Sequence, residues 1–455
     1  DTDYAIYNRS VCLGLIGKNA TKVKLLNVIE NNFKESAYYD DALLDLADHY
    51  KNTGKTSLAI SYYDSLSVHT EDIETQARVN VHKGMIHLNM NNVDAAIQSF
   101  MVVIDNYVKT NYFKEALSGL QTAYISIAKV DEYLRLVNKL PNVNISRVEQ
   151  DSLTYNTAFM KFVEGDYYIA KSSFKQYIDN FKEGIFIDDA RYYLAESCVN
   201  LKDTSCALNN FKFITTDGIK HKELSLIFLA RHYFSKNDFK KSNKYYLELQ
   251  KIASNNSIRR ELIIRLMYGF ENKEDDQSVL YASRVLELDK VDENLINKAS
   301  IILARSYFEQ GNFKKAEKKF YQIAGSTKDK VGSEAMYMNA YLRYVDDSLQ
   351  EAETLIYKLA DEFTADYWIA KGFILLSDIY LQGGNDFQAK ATLQSIIDNY
   401  EGEDLLIIAR KKWESILAKE VVEIKTINQE TYINIFDGKI NYEVLFEEEN
   451  DTTEL

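Results

Sequence analysis

The chain repeats itself, and the length of that repeat limits the possible folds more than any other feature. The phrase "NNFKES" at 31–36 returns as "DNYVKT" at 105, "DNFKEG" at 179, "DEFTAD" at 361 and "DNYEGE" at 398, and three of the four intervals are whole multiples of 37. A second ruler sets a small residue sixteen places before a bulky one: Ala47 and Tyr63, Gly84 and Phe100, Ala158 and Phe174, Ala195 and Phe211, Ala230 and Tyr246, Ala304 and Phe320, Ala340 and Ile356, Ser377 and Leu393. With weaker members near 10, 121 and 266, the spacing stays between 35 and 38 and yields eleven units. Periods of this length mark arrays of supersecondary units, none of which can bury its apolar face alone.

Each unit reads as a helical hairpin. Apolar residues recur at three- and four-residue steps, the sign of a helix with one buried stripe. The turn between the two halves reads "NTGKT", "VEGDY", "EQGNF" or "QGGNDF", where glycine or asparagine takes the left-handed conformation that ends a helix. Small residues at Ala59, Ala96, Ala170, Ala207, Ala316 and Ala352 lie twelve after the first small residue and let two backbones approach. A single proline, Pro141, in 455 residues leaves long stretches free to be helical.

"LARSYFEQGNFKKAEKKF" at 303–320 carries a small residue, an aromatic three later, glycine four on, alanine five on and a bulky residue four on. This pattern resembles the tetratricopeptide repeat family, over residues 3 to about 400. The usual helix-ending proline of the family is replaced by Lys34, Val108, Lys182, Thr364 and Glu401. The longer period makes the array look like the repeats of bacterial envelope lipoproteins and outer-membrane assembly proteins. The resemblance implies an all-α, right-handed superhelical solenoid of about eleven hairpins. The expected organisation is an array over 1–402, a capping helix over 403–422 and a β-hairpin with an acidic tail over 423–455.

The resemblance also implies that the first helix of each hairpin lines a concave groove, at offsets −3, +1 and +4 from the small residue. Those positions hold Tyr155, Phe159 and Phe162; Ile227, Arg231 and Phe234; Ile301, Arg305 and Phe308; and Tyr337, Tyr341 and Tyr344. Tyrosine and arginine concentrate binding energy at interfaces, so Arg231, Phe234, Arg305, Phe308, Tyr337, Tyr341 and Tyr344 are the expected partner-binding residues of the array. The competing reading buries the rings against the next turn. The lysine and asparagine clamp of chaperone-tail receptors is absent, because Asp48, Met85 and Glu196 stand at +1 and Leu44, Val81 and Tyr192 at −3.

At the C-terminus, Leu405, Ile408, Ala409, Trp413 and Ile416 form a stripe that can cover the last hairpin, leaving Lys411, Lys412 and Glu414 to water. "TYINIFDGKINYEVLF" at 431–446 reads as two strands about an Asp437–Gly438 turn, and Tyr432, Tyr442 and Phe446 are its candidate partner contacts.

Enzyme motifs of the phosphate-loop, dinucleotide, zinc-protease and nucleophile-elbow kinds are absent from the sequence. No catalytic residue, cofactor or metal is expected. His82 and His87 read as packing or surface residues. Cys198 and Cys206 face each other across a hairpin and read as small residues filling a helix interface in preference to a disulfide. The pairs Asp40/Asp41, Asp188/Asp189 and Asp346/Asp347 read as helix caps. A net charge of −14 argues against nucleic acid as a partner, and the apolar runs are too short to span a bilayer. The expected partners are other proteins of a cell-envelope complex. The chain is expected to be periplasmic and outer-membrane associated, with a cytoplasmic regulatory array as the alternative.

Overall fold

A computed structural model describes residues 1–141, 143–271 and 276–436. The chain divides into two compact units, Asp1–Leu229 and Ala230–Leu455. In the first unit α1 (Thr2–Leu15) pairs with α2 (Asn19–Asn32), α3 (Tyr39–Asn52) with α4 (Thr56–His69) and α5 (Ile73–Asn89) with α6 (Val93–Asn106). The pairs α7 (Phe113–Ser126) and α8 (Val130–Val137), α9 (Arg147–Val163) and α10 (Tyr167–Asn180), and α11 (Ile187–Asn200) and α12 (Thr204–Thr216) follow. Helix α13 (Lys222–Ser235) runs across the division and precedes α14 (Phe239–Gln250). The second unit continues with α15 (Asn256–Phe270) on α16 (Asp276–Leu286), α17 (Glu293–Glu309) on α18 (Phe313–Ser326), α19 (Lys330–Val345) on α20 (Leu349–Glu362) and α21 (Asp366–Gln382) on α22 (Asp386–Asn399), and ends in α23 (Glu403–Phe436). The secondary structure of the described residues is helical: ten packed pairs, the consecutive helices α13 and α14, and a final helix.

Both rulers have a physical cause. Tyr63, Phe100, Phe174, Phe211, Tyr246, Phe320, Ile356 and Leu393 are all buried, as are Ala47, Ala158, Ala195, Ala230, Ala304, Ala340 and Ser377 sixteen places before most of them. The small residue makes room for the ring. A Cβ on Gly84 would lie 2.5 Å from the Phe100 ring, and one on Gly119 of the next hairpin 2.4 Å from it. Burying each large side chain contributes about 2 kcal/mol, and no single hairpin supplies both walls. Within the hairpin turn, Gly54, Gly165, Gly311 and Gly384 all have positive φ, and Asn91, Lys202, Asn237 and Asp347 take the same conformation where glycine is missing.

The recurring phrase closes the second helix. Phe33, Tyr107, Phe181, Phe363 and Tyr400 are the residues that immediately follow α2, α6, α10, α20 and α22, and Phe181 and Phe363 are buried there.

Several expectations are corrected. Thr431–Phe436, expected as a strand, is the last part of α23, and no strand occurs among the described residues. Once a helix is anchored by packing, each added residue makes one more backbone bond, whereas a two-stranded hairpin needs a cover for its apolar face. The other half of that stretch, with Asp437, Gly438, Tyr442 and Phe446, and the acidic tail lie outside the described residues. Helix α23 also does not end at 422. Leu405, Ala409 and Ile416 are buried in one cluster with Ala370, Ile374, Ala389, Leu393 and Ile396, and Trp413 packs on its edge. Ile408, expected in that stripe, is exposed, and Lys412, expected in water, pairs with Asp378.

The second correction is at Cys198 and Cys206, which form a disulfide with their Cα atoms 5.9 Å apart. The tight turn between α11 and α12, with Lys202 at φ 60°, brings the two within the range that a disulfide spans.

The acidic pairs are the third. Asp40 and Asp41, and Asp188 and Asp189, do stand in the first turns of α3 and α11. Their bonds, however, reach to the following segments: Asp40 to His69 at 2.7 Å, Asp188 to the amides of Ile219 and Lys220, and Asp189 to Lys220 and His221. Asp40, Asp188 and Asp189 thus join segments 29 to 32 residues apart, and neither helix has a side-chain cap bond at its N-cap. Asp347, in the α19–α20 turn, accepts a bond from Gln382.

His82, expected to pack or to lie at the surface, does pack edge-on against the Tyr63 ring with centroids 5.7 Å apart, and its Nδ1 also lies 2.9 Å from the Tyr63 hydroxyl and 3.2 Å from Asp48.

Candidate interaction surface

The first helices of successive hairpins pack on one another, as α5 does on α7, α9 on α11, α17 on α19, α19 on α21 and α21 on α23. The residue at +1 therefore points along a seam between two such helices, where charge can be paired or left open.

Five +1 residues are charged: Asp48, Glu196, Arg231, Arg305 and Asp378. Four of them are stitched to a later first helix. Asp48 on α3 accepts from Arg78 on α5 at 2.5 Å, Arg231 on α13 donates two bonds to Glu261 on α15, Arg305 on α17 donates two to Glu334 on α19, and Asp378 on α21 takes Lys412 on α23. Burial pushes the Asp48 carboxyl up, but His82, Tyr63 and Arg78 outweigh it and hold it well below the ordinary carboxylate range. The Glu261 bond raises Arg231. At Arg305, burial lowers the guanidinium and the Glu334 pair more than restores it. The two arginines expected to hold a partner are thus occupied within the chain, and their bidentate geometry locks neighbouring hairpins.

The rings remain available in part. Phe308 packs edge-on against Tyr341 with centroids 6.0 Å apart, and Tyr341 lies 6.3 Å from Tyr337 and 6.5 Å from Tyr344. Tyr337 is buried against Trp368, whereas Phe308, Tyr341 and Tyr344 are half-buried. Sequence reasoning missed the end of this ladder: Lys371 sits 5.0 Å over Tyr337 and 4.9 Å over Trp368, and burial pulls its ammonium down. The aromatic step Tyr367–Trp368 followed by a lysine three residues on was the signal available. Phe234 is half-buried under Arg265 at 4.5 Å, at the edge of an open cleft that also includes Arg231, Tyr246 and Glu261.

In the first unit, α9 and α11 carry a denser cluster. Tyr155, Phe159 and Phe162 run down α9, and Tyr193 of α11 lies 4.9 Å from both Phe159 and Phe162. Tyr192 stacks on His221 at 4.3 Å. Tyr432 lies in the α23 helix, and Tyr442 and Phe446 are outside the described residues. Among the described residues the one group of metal-type ligands within reach of each other is Cys198, Asp203 and Cys206, and its sulfurs are joined to each other.

No helix among the described residues is long and apolar enough to cross a membrane. Two family models described as tetratricopeptide repeat match the chain, over residues 77–105 and 373–402. No curated protein matches it. Among solved structures, the P58(IPK) TPR domain aligns over 92% of this chain and 99% of its own at 13% identity and a TM-score of 0.25. Yeast Tom70 aligns over 94% and 99% at 12% identity and 0.33. A tetratricopeptide repeat protein of Parabacteroides merdae aligns over 58% and 98% at 15% identity and 0.29. The family matches place a tetratricopeptide repeat at 77–105 and another at 373–402.

Proposed function

We propose that this chain is a non-catalytic scaffold for protein partners and that it serves a cell-envelope complex outside the cytoplasm, as a periplasmic component of outer-membrane protein assembly or secretion. The observation that carries the binding role is the half-buried ring ladder Phe308–Tyr341–Tyr344, whose neighbouring charge is already neutralised by the Arg305–Glu334 pair. Such a face offers apolar area and hydroxyls with little desolvation of free charge. The compartment is supported by the Cys198–Cys206 disulfide, because disulfides persist where the surroundings are oxidising.

The binding role is tested by crosslinked pull-down from an envelope extract of the host, with Tyr341→Ser and Tyr344→Ser together. Partner capture should weaken by about 2 kcal/mol, roughly thirtyfold in affinity, with helicity unchanged. If the double change melts the chain, the rings are core and the reading falls. Fractionation tests the compartment: recovery in the cytoplasm with Cys198 and Cys206 reduced would favour a cytoplasmic regulatory array.

A further inference from the structure

We infer that the face of α9 and α11 is a docking site for a basic side chain, arginine or lysine, supplied by a partner protein. This rests on the scaffold reading and names the partner's chemistry. The argument begins with the stitches: of the five charged +1 residues, Asp48, Arg231, Arg305 and Asp378 are each paired with an opposite charge, and among the described residues Glu196 is not. The distance from a +1 residue to its counter-charge is 30 residues for Asp48 and Arg231, 29 for Arg305 and 34 for Asp378. Counting the same distances from Glu196 arrives at Ser225, Leu226 and Ala230, all fully buried and none charged. The chain omits the cation that its own pattern provides elsewhere.

What surrounds Glu196 is suited to receiving one. Its carboxylate takes the hydroxyl of Tyr192 one turn away, and burial pushes it above its ordinary value with no cation to offset this. Tyr193, which feels the same carboxylate, is flanked by Phe159 and Phe162, each at 4.9 Å. Glu196, Tyr193, Phe159 and Phe162 are all half-buried, and so open on one side. Among the described residues, no lysine or arginine lies over Phe159, Phe162 or Tyr193. An incoming cation would meet ring faces and an unpaired carboxylate together, and each attracts it more strongly where water is partly excluded.

The second unit shows the same chemistry with the cation built in. There Arg265 lies 4.5 Å over Phe234, the +4 residue of α13, and Arg231 holds Glu261 beside Tyr246. In the first unit the guest supplies what Arg231 and Arg265 supply in the second. A neutral or acidic guest would leave the Glu196 carboxylate partly desolvated and unpaired, which is costly.

The test uses the full chain, immobilised, to select from a phage-displayed library of random 12-residue peptides, with the Glu196→Gln chain as the comparison. The expected result is enrichment of arginine or lysine over the unselected library on the native chain and loss of those clones on Glu196→Gln. A selected basic peptide, synthesised with a fluorophore, should bind Glu196→Gln and Phe162→Ser at least about tenfold more weakly by anisotropy, with unchanged far-UV dichroism. Replacing its basic residue by glutamine should cost about as much. Equal binding by Glu196→Gln, or selected clones with no basic enrichment, overturns the inference. If such non-basic clones are instead lost on Tyr341→Ser with Tyr344→Ser, the scaffold reading stands and this one falls. If the native chain retains no peptide, both fall.

Discussion

The α9–α11 face of the first unit and the α17–α19 face of the second are built on one repeat, yet they treat charge in opposite ways. Both line up rings at the same offsets, Tyr155, Phe159 and Phe162 in one and Tyr337, Tyr341 and Tyr344 in the other. In the second, the charged +1 residue Arg305 is spent on Glu334, which is only 5% exposed. In the first, Glu196 holds no cation among the described residues and is pushed up by burial. A repeat fixes where a side chain lies, and the residue 29 to 34 places later decides whether it is a structural tie or an open group. The first face also stands beside the Cys198–Cys206 link at the far end of α11, which ties that hairpin shut.

The largest expected effect tests what the two regions share. Phe174→Ala and Phe320→Ala remove equivalent, fully buried rings and should each cost about 3–5 kcal/mol in urea unfolding. A much smaller cost in one unit would break the claim of a common core. Next comes what they do not share: replacing Cys198 and Cys206 by serine should cost about 2–3 kcal/mol. Hydrogen exchange should show the loss in the first unit and leave α17–α21 protected, and equal loss in both would break the division.

Arg305→Ala and Arg231→Ala sharpen the comparison within the second unit. Removing Arg305 strands a buried carboxylate and should cost about 2 kcal/mol. Removing Arg231 frees a Glu261 side chain that is 27% exposed, so about 0.5 kcal/mol is expected. Chemical denaturation would reverse the interpretation if the order were inverted.

The smallest effect concerns Glu196 and has a sign set by pH. Its folded pKa lies above its ordinary 4.5, so the native state binds its proton more readily than the unfolded chain. The carboxylate therefore costs stability above that pH, and the cost vanishes as pH falls below it. Glu196→Gln should stabilise the chain at pH 8 by about 0.5 kcal/mol and leave it unchanged at pH 4. Asp48 has the opposite sign: held well below its ordinary 3.8, it contributes stability that is complete above that value and drains away as pH falls further. Asp48→Asn should flatten the acid limb of the stability curve, and an unaltered limb would show that another carboxylate controls it.

Much of this molecule is legible without coordinates. The sixteen-residue ruler marks Phe100, Phe174 and Phe320, which are buried, and "DNF" and its variants mark Phe181 and Phe363, which close second helices. Those features are local, and one period of sequence contains both the ring and the small residue that admits it. The candidate groove was legible as positions but not as chemistry. Whether Arg305 is free depends on Glu334, and whether Cys198 is a thiol depends on the turn that carries Cys206 toward it. The residues 431–436 show the limit from the other side: a strong Asp-Gly turn signal sits beside them, but the helix anchored by Leu405, Ala409 and Ile416 continues through them. Periodicity determined the helices, the hairpins and the buried faces, because each of these is set by side-chain size at fixed helical spacing. Only the tertiary structure decided which charges are satisfied, because pairing needs two groups about 30 residues apart to meet within a few ångströms, and neither carries a mark of the other in its own neighbourhood.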